Sequence, residues 1–514
     1  MDTVIKIAML VIFFGIMVGV GFYCRGHATD ISGFVLGGRS VGPWLTAFAY
    51  GTSYFSAVIF VGYAGQFGWK FGIASTWIGI GNAIIGSLMA WAILGRRTRI
   101  MTQHLGSATM PQFLGQRFNS RGLKVGASVI VFLFMIPYTA SLYNGLSRLF
   151  GMAFHIDYSV CIILMSVLTG IYVIVGGYMA TAINDFIQGL IMLVGIVVVI
   201  AAVLKSQGGF LASLDGLAQI SDETVSSIPG VFNSFFGPDP LNLMFVVILT
   251  SLGTWGLPQM VQKFYAIKSE SDIKKGMIIS TVFALVVAGG CYFLGGFGRL
   301  FSDRVDIAAN GYDSIIPAML SELSPLLIGL VVILVLSASM STLSSLVMAS
   351  SSTLTIDFLK DNIIKNMSEK KQILIMRVLI VVFIAISAII AMLQYSTSVN
   401  FIAQLMGISW GAMAGAFLAP FMYSLYWKKT TKASCWVCFI FGSGLMVANM
   451  LFRSSFPVIM QSPINCGAIA MIAGLILVPL VSLFTKKPDT AFVDACFACY
   501  DKTKAVKQKS HLGH

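Results

Sequence analysis

Six hydroxyls stand within nine residues of Ser337–Ser345: Ser337, Ser339, Ser341, Thr342, Ser344 and Ser345. They interrupt PLLIGLVVILVLSASMSTLSSLVMASSS (325–352), a run otherwise apolar enough to be buried or to face lipid. On a helix Ala338, Ser341, Thr342 and Ser345 fall at i, i+3, i+4 and i+7 and share one stripe. One or two such hydroxyls would simply bond back to the i−4 carbonyl or allow close helix packing. Six suggest more: a set of neutral oxygen ligands for a hard monovalent cation. A titratable site would need carboxylates or imidazoles, and this stripe has none.

A cation needs oxygens from a second wall. GTSYFS (51–56) is poor helix material, and an unwound segment there would release backbone carbonyls toward the stripe. Irregular backbone is tolerated at membrane depth only where it lines a cavity or is buried in protein. A second interruption, GTWGLPQ (253–259), contains Pro258, which removes a helix hydrogen bond. Two such breaks, about five spans apart, are what inverted repeats with discontinuous helices produce around a midplane site. Asp185, in INDFIQG, is the exceptional acid inside a span, too deep for the helix dipole alone to account for it. It reads as a carboxylate that meets a cation. The five histidines (27, 104, 155, 511 and 514) fall in loops or the tail, so no metal centre or histidine-based catalysis is legible.

The elements that must position these groups are membrane helices. The 514 residues are 57% hydrophobic and 10% charged, with a mean hydropathy of +0.87, which excludes an ordinary soluble protein. Thirteen apolar spans are expected near 3–23, 43–69, 72–95, 123–150, 158–177, 180–204, 241–262, 276–298, 325–352, 373–394, 398–426, 433–452 and 465–485. With the N-terminus outside, 26 of the 33 basic residues lie in inside segments, Lys263 counted among them. The positive-inside rule then gives an outside N-terminus and a cytoplasmic C-terminus. The formal charge of +13 reflects that bias and calls for no nucleic acid. The first span lacks a small-residue cleavage site and reads as a retained helix. Cys435/Cys438 and Cys496/Cys499 have CxxC spacing without partner ligands nearby, and read as ordinary small residues.

Together FVLGGRSVGPW (34–44), GTSYFS (51–56), GGYMATAINDFIQG (176–189), GLPQMVQKFYA (256–266) and SASMSTLSS (337–345) resemble the sodium/solute symporter family, which includes bacterial proline and pantothenate carriers. The resemblance covers nearly the whole chain. It implies an all-α, LeuT-like five-plus-five inverted-repeat core with one extra helix before it and two after. The corresponding segments are 1–42 for the extra helix and inside loop, then 43–204 and 205–426 for the repeats. Two C-terminal helices (427–485) and a cytoplasmic tail (486–514) follow.

By the same resemblance the main sodium site would use backbone oxygens of Thr52, Phe55 and Ala338 with the hydroxyls of Ser341 and Thr342. A second sodium, found in some members, would fall to Asp185, Ser341, Ser344 and Ser345. The solute cavity would be lined by Tyr54, Ser56, Tyr138, Thr254, Trp255, Pro258 and Trp410. The proline carriers have an aspartate where this chain has Tyr54 and a tryptophan where it has Val58; SYFSA and INDFIQGLIML are closer to the pantothenate type. No Arg or Lys lies at the core of a solute-lining span to pair a carboxylate, so an anionic solute would rely on helix N-termini, hydroxyls and a co-bound sodium.

The expected function is sodium-driven import of a small organic solute (an amino acid such as proline, or a monocarboxylate or pantothenate-like molecule) across the plasma membrane. Sodium is the coupling ion, with no other cofactor and no obligate protein partner implied. A proton-coupled carrier of the same fold is the nearest alternative, because Asp185 could carry a proton. A transporter-shaped sensor would need a signalling domain, for which the roughly 30-residue tail is too short. A membrane enzyme would need a nucleophile–base pair or metal cluster within the spans.

Overall fold

The computed structural model describes residues 2–154, 157–307, 311–364, 366–396 and 402–504. Every named element among them is helical, and the only strand-like features are isolated bridges such as Val41 to Ile267. Among the described residues ten helices are long and apolar enough to cross a membrane, or eleven if the bent pair Pro240–Trp255 and Pro258–Ala266 forms one span. Length and composition thus do not by themselves return the thirteen expected. Two of the stretches, Val58–His104 and Ile162–Ser206, run 47 and 45 residues, about twice the length one crossing needs.

The helices that build or border the site are α1 (Asp2–Tyr23), α2 (Pro43–Tyr54), α3 (Arg121–Phe154), α4 (Tyr158–Ser206), α5 (Pro240–Leu252), α6 (Pro258–Ala266), α7 (Glu270–Gly295), α8 (Pro325–Thr353) and α9 (Ile402–Tyr426). Local chemistry sets their ends. Pro43, Pro240, Pro258 and Pro325 each occupy the first turn of their helix, where the missing N–H would have had no partner. Ser269 caps α7 by accepting from the Asp272 amide at 3.2 Å, and Glu270 and Asp272 in that turn complement the dipole. Gly177 interrupts α4 with φ +57° and ψ −150°, a conformation that side chains with a Cβ rarely adopt. α2 stops at Tyr54, and Phe55 turns extended (φ −84°, ψ 116°) before a wide-turn helix resumes at Val58.

Burial ranks the helices. In α8 every residue from Val331 to Thr353 is buried, so the hydroxyl-rich segment faces protein on all sides and lipid on none. It packs against α4, α3, α2 and α1. By contrast α1 exposes Val11, Ile12 and Ile16, as a helix at the lipid boundary should.

The backbone also revises the end of the span drawn as 241–262. The chain bends by 42° between Trp255 and Pro258, and helix restarts at Pro258. Lys263 therefore lies in the second turn of α6, only 3% exposed, and does not belong with the basic residues of an inside loop.

Candidate cation and solute site

The end of α2 and the middle of α8 meet through oxygen. Ser341 Oγ lies 3.1 Å from the carbonyl oxygens of both Thr52 and Ala338. Thr342 Oγ1 lies 3.2 Å from the carbonyls of Thr52 and Phe55 and 3.1 Å from that of Ala338. All five oxygens named from the resemblance thus form one buried cluster. Two hydroxyls carry two protons, yet five close oxygen–oxygen contacts join them to three carbonyls. The protons cannot satisfy every contact at once. Thr52 O and Phe55 O also sit at a helix C-terminus, where the last carbonyls lack intrahelical partners and the dipole places negative potential. The cluster is electron-rich and short of positive charge, which suits a hard cation.

One turn further along α8, Ser345 Oγ is 2.8 Å from Ser53 Oγ and accepts a hydrogen bond from Lys263 Nζ at 3.0 Å. The same ammonium is 3.8 Å from Asp185 Oδ2 and 5.2 Å from the centre of the Tyr178 ring. Asp185 is fully buried in α4, and neither of its carboxylate oxygens has a hydrogen-bond donor within reach. Of the residues expected around a second sodium, Asp185 and Ser345 therefore converge on Lys263. Ser344 Oγ instead bonds back to the Ser341 carbonyl at 2.9 Å, and Ser341 belongs to the first cluster.

Sequence reasoning missed Lys263, Ser53 and Tyr178. For Lys263 the available signal was Pro258: a helix reset at that proline carries residue 263 inward, whereas a straight helix from 241 leaves it at the rim. The expectation that no Lys or Arg lies at the core of a solute-lining span to pair a carboxylate is corrected by the same observation, since buried Lys263 stands 3.8 Å from Asp185 Oδ2.

The expected solute residues separate into groups. Tyr138 and Trp410, both fully buried, stack edge to face with centroids 6.0 Å apart. A Cβ on Gly253 would come within 3.3 Å of the Trp410 ring, so the start of the 253–257 break lies against this pair. Thr254 and Trp255 turn elsewhere: Thr254 Oγ1 donates to a carbonyl, with Gly86 O at 3.0 Å and Ser251 O at 2.9 Å, and Trp255 Nε1 donates to Ile85 O at 2.9 Å. Pro258 opens α6. The Tyr54 side chain lies outside the described residues, though its backbone ends α2. Ser56 Oγ is buried without a hydrogen-bond partner. Gln259, which the sequence did not single out, is buried with neither amide atom bonded, next to the same break.

A cavity of about 1100 Å³ is lined among others by Phe67, Lys70, Asp222, Asp239, Arg299 and Asn465, and by none of the expected cation or solute residues. Arg299 crosses it: the guanidinium donates to Asp222 Oδ2 and to Trp69 O, at 2.9 and 2.7 Å, and lies over the Phe232 ring. Because Asp222 accepts from Thr224 and then from Arg299, its carboxyl is held below the ordinary carboxylate range.

The cysteines of both CxxC pairs are buried and free, and no grouping of three or more His, Cys, Asp or Glu suited to a metal occurs among the described residues. Cys438 Sγ bonds weakly to Gly415 O at 3.2 Å, a packing contact between helices.

Comparison with known proteins places this architecture. The chain is 27% identical over 489 residues to the osmoregulated proline transporter OpuE of Bacillus subtilis (strain 168), covering 94% of this chain and 96% of that one. It is 30% identical over 500 residues to a sodium/proline symporter of Staphylococcus aureus (strain NCTC 8325 / PS 47), covering 95% and 94%. A solved structure of a Na+-coupled sialic acid symporter, substrate-bound and outward-open, superposes with a TM-score of 0.72 at 19% identity, covering 94% of this chain and 99% of the other. At that identity it bears on the fold alone. The sodium:solute symporter family matches residues 34–442, and this chain belongs to that family of transporters.

Proposed function

We propose that this protein imports a small organic solute with sodium across the plasma membrane by alternating access. The main sodium would be held by the backbone oxygens of Thr52, Phe55 and Ala338 and the hydroxyls of Ser341 and Thr342. The observation that carries this reading is the cluster of five oxygens sharing two protons. It joins a broken helix to the helix at the centre of the bundle. Sodium bound there would tie α2 to α8, and a solute in the adjoining space would meet the end of α2 and the Tyr138–Trp410 pair. Inward sodium movement gains roughly 2.3 kcal/mol per 100 mV in addition to the concentration gradient.

Reading each of the two double-length stretches as two crossings, divided near Gly72 and Gly177, brings the count to thirteen. That supports a five-plus-five core with one helix before and two after, its termini on opposite faces; the bias of basic residues is what favours an outside N-terminus and a cytoplasmic C-terminus. The cavity crossed by Arg299 would then be the outer vestibule.

For the solute, the named relatives favour proline, whereas Tyr54 and Val58 differ from the proline carriers at two positions near the break. An amino acid or a small monocarboxylate fits both considerations. Thermal-shift measurements on purified protein, with proline, other amino acids, pantothenate and short carboxylates in sodium or potassium buffer, test this reading. A solute that stabilises only with sodium supports it. Uptake that proceeds without sodium and follows a pH gradient would replace it with proton coupling.

A further inference from the structure

Lys263 belongs to none of the ligand sets expected from the sequence, yet four helices converge on its ammonium. α6 carries it, α8 offers Ser345 Oγ at 3.0 Å, and α4 offers Asp185 Oδ2 at 3.8 Å with the Tyr178 ring 5.2 Å away. α2 joins through Ser53, whose hydroxyl is 2.8 Å from that of Ser345. Lys263 and Asp185 are 3% and 0% exposed. A lone carboxylate so deeply buried is strongly disfavoured unless a cation accompanies it. In this chain the cation is part of the sequence.

We propose that the Lys263 ammonium is a tethered cation filling the position of a second sodium, so that transport is coupled to one sodium per solute. The proposal rests on the sodium-symport reading above and concerns its stoichiometry. A second sodium would need Asp185 and Ser345, the groups that Lys263 already engages. With the ammonium about 4 Å away at the effective dielectric of a buried protein site, such an ion would bind roughly a thousandfold more weakly. The main cluster shares no oxygen with these contacts, because Ser341 and Thr342 are engaged with the carbonyls of Thr52, Phe55 and Ala338. Ser345 lies one turn beyond them, so the fixed charge stands beside the mobile one.

The arrangement also distinguishes the two ions. Sodium can leave at each turnover, whereas the ammonium can only move with α6. The Asp185 charge is therefore neutralised in every state where the pair persists, and each cycle carries a single sodium charge with a neutral solute.

The test is solute accumulation in proteoliposomes with the membrane potential clamped at zero. Under a tenfold inward sodium gradient, one coupled sodium gives about tenfold accumulation and two give about a hundredfold. The wild type is expected near tenfold, with a sodium Hill coefficient near one. Lys263→Met leaves Asp185 and Ser345 to a mobile ion, and should move accumulation toward a hundredfold and the coefficient toward two. The double variant Lys263→Met/Asp185→Asn removes both charges together and should stay near tenfold, which controls for damage from an unpaired buried charge. Accumulation near a hundredfold in the wild type overturns the proposal whether or not either variant folds. A wild type with no sodium dependence at all would instead overturn the symport reading beneath it.

Discussion

Replacing Thr342 by valine keeps the branched shape and deletes one oxygen. That oxygen touches three carbonyls at 3.1–3.2 Å, of Thr52, Phe55 and Ala338, whereas Ser341 Oγ touches two. If the cluster binds sodium, the loss is that of a polar ligand to a charge, about 1.5–3 kcal/mol. Half-saturating sodium should then rise roughly ten- to a hundredfold. Without sodium the same deletion removes ordinary hydrogen bonding worth about 1 kcal/mol, so the folded protein should survive. Two measurements separate these effects. Initial solute uptake is titrated against sodium, and the midpoint of thermal unfolding is followed over the same range. A ligand at a hundred times its Kd stabilises the folded state by about 2.7 kcal/mol. The Thr342→Val curve should therefore keep its plateau and move to higher sodium. Well-folded Thr342→Val with an unchanged sodium midpoint in both assays would refute the assignment.

Other outcomes follow from separate parts of the structure. Ser341→Ala should raise the sodium midpoint in the same uptake assay, by less than Thr342→Val because fewer carbonyl contacts are lost. Trp410→Ala empties a fully buried site beside Tyr138 and should destabilise the protein by about 3–5 kcal/mol, read as a lower unfolding midpoint, while Trp410→Phe loses less. Gly68→Ala places a methyl 1.9 Å from the Gly295 carbonyl oxygen, a backbone atom that cannot swing aside; about 1–3 kcal/mol should be lost, read as a reduced yield of monodisperse protein. The Asp222–Arg299 link has a sign fixed by the depressed carboxyl: its contribution is fully present above the unfolded value near 4 and is lost only as pH falls through the lower folded value. Stability of the wild type relative to Asp222→Asn should accordingly be flat from pH 7 to 5 and converge only in stronger acid.

How much of this was legible depended on whether a feature was local. The hydroxyl stripe and the glycine-led break announce themselves within a few residues, and the fold brings Thr52, Phe55, Ala338, Ser341 and Thr342 into one cluster. Helix starts were equally readable at Pro43 and Pro325, because a residue lacking an N–H suits the first turn. Direction after a break was not. A 42° bend before Pro258 turned Lys263 from a rim position into the partner of Asp185, and no periodicity in 241–262 encodes that angle. Thr254 and Trp255 show the same limit in reverse, since their polar atoms find carbonyls at Gly86 and Ile85 across the bundle. The expected spans divide near Gly72 and Gly177, glycines with positive φ, whereas by length and composition Val58–His104 and Ile162–Ser206 each run on as one stretch.

The partners in the oxygen cluster, Thr52 and Thr342, are 290 residues apart along the chain. During synthesis at about 5–20 residues per second, that separation is a wait of roughly 15–60 s. Throughout it, the broken end of α2 must sit in the membrane with its carbonyls turned toward a helix not yet made. A nascent chain that stops short of α8 has one wall of the cluster and no means to close it, so whatever the cluster binds can bind only late in assembly and all at once. If that ligand is sodium, as proposed, the ion is also the cell's earliest check on a correctly finished molecule.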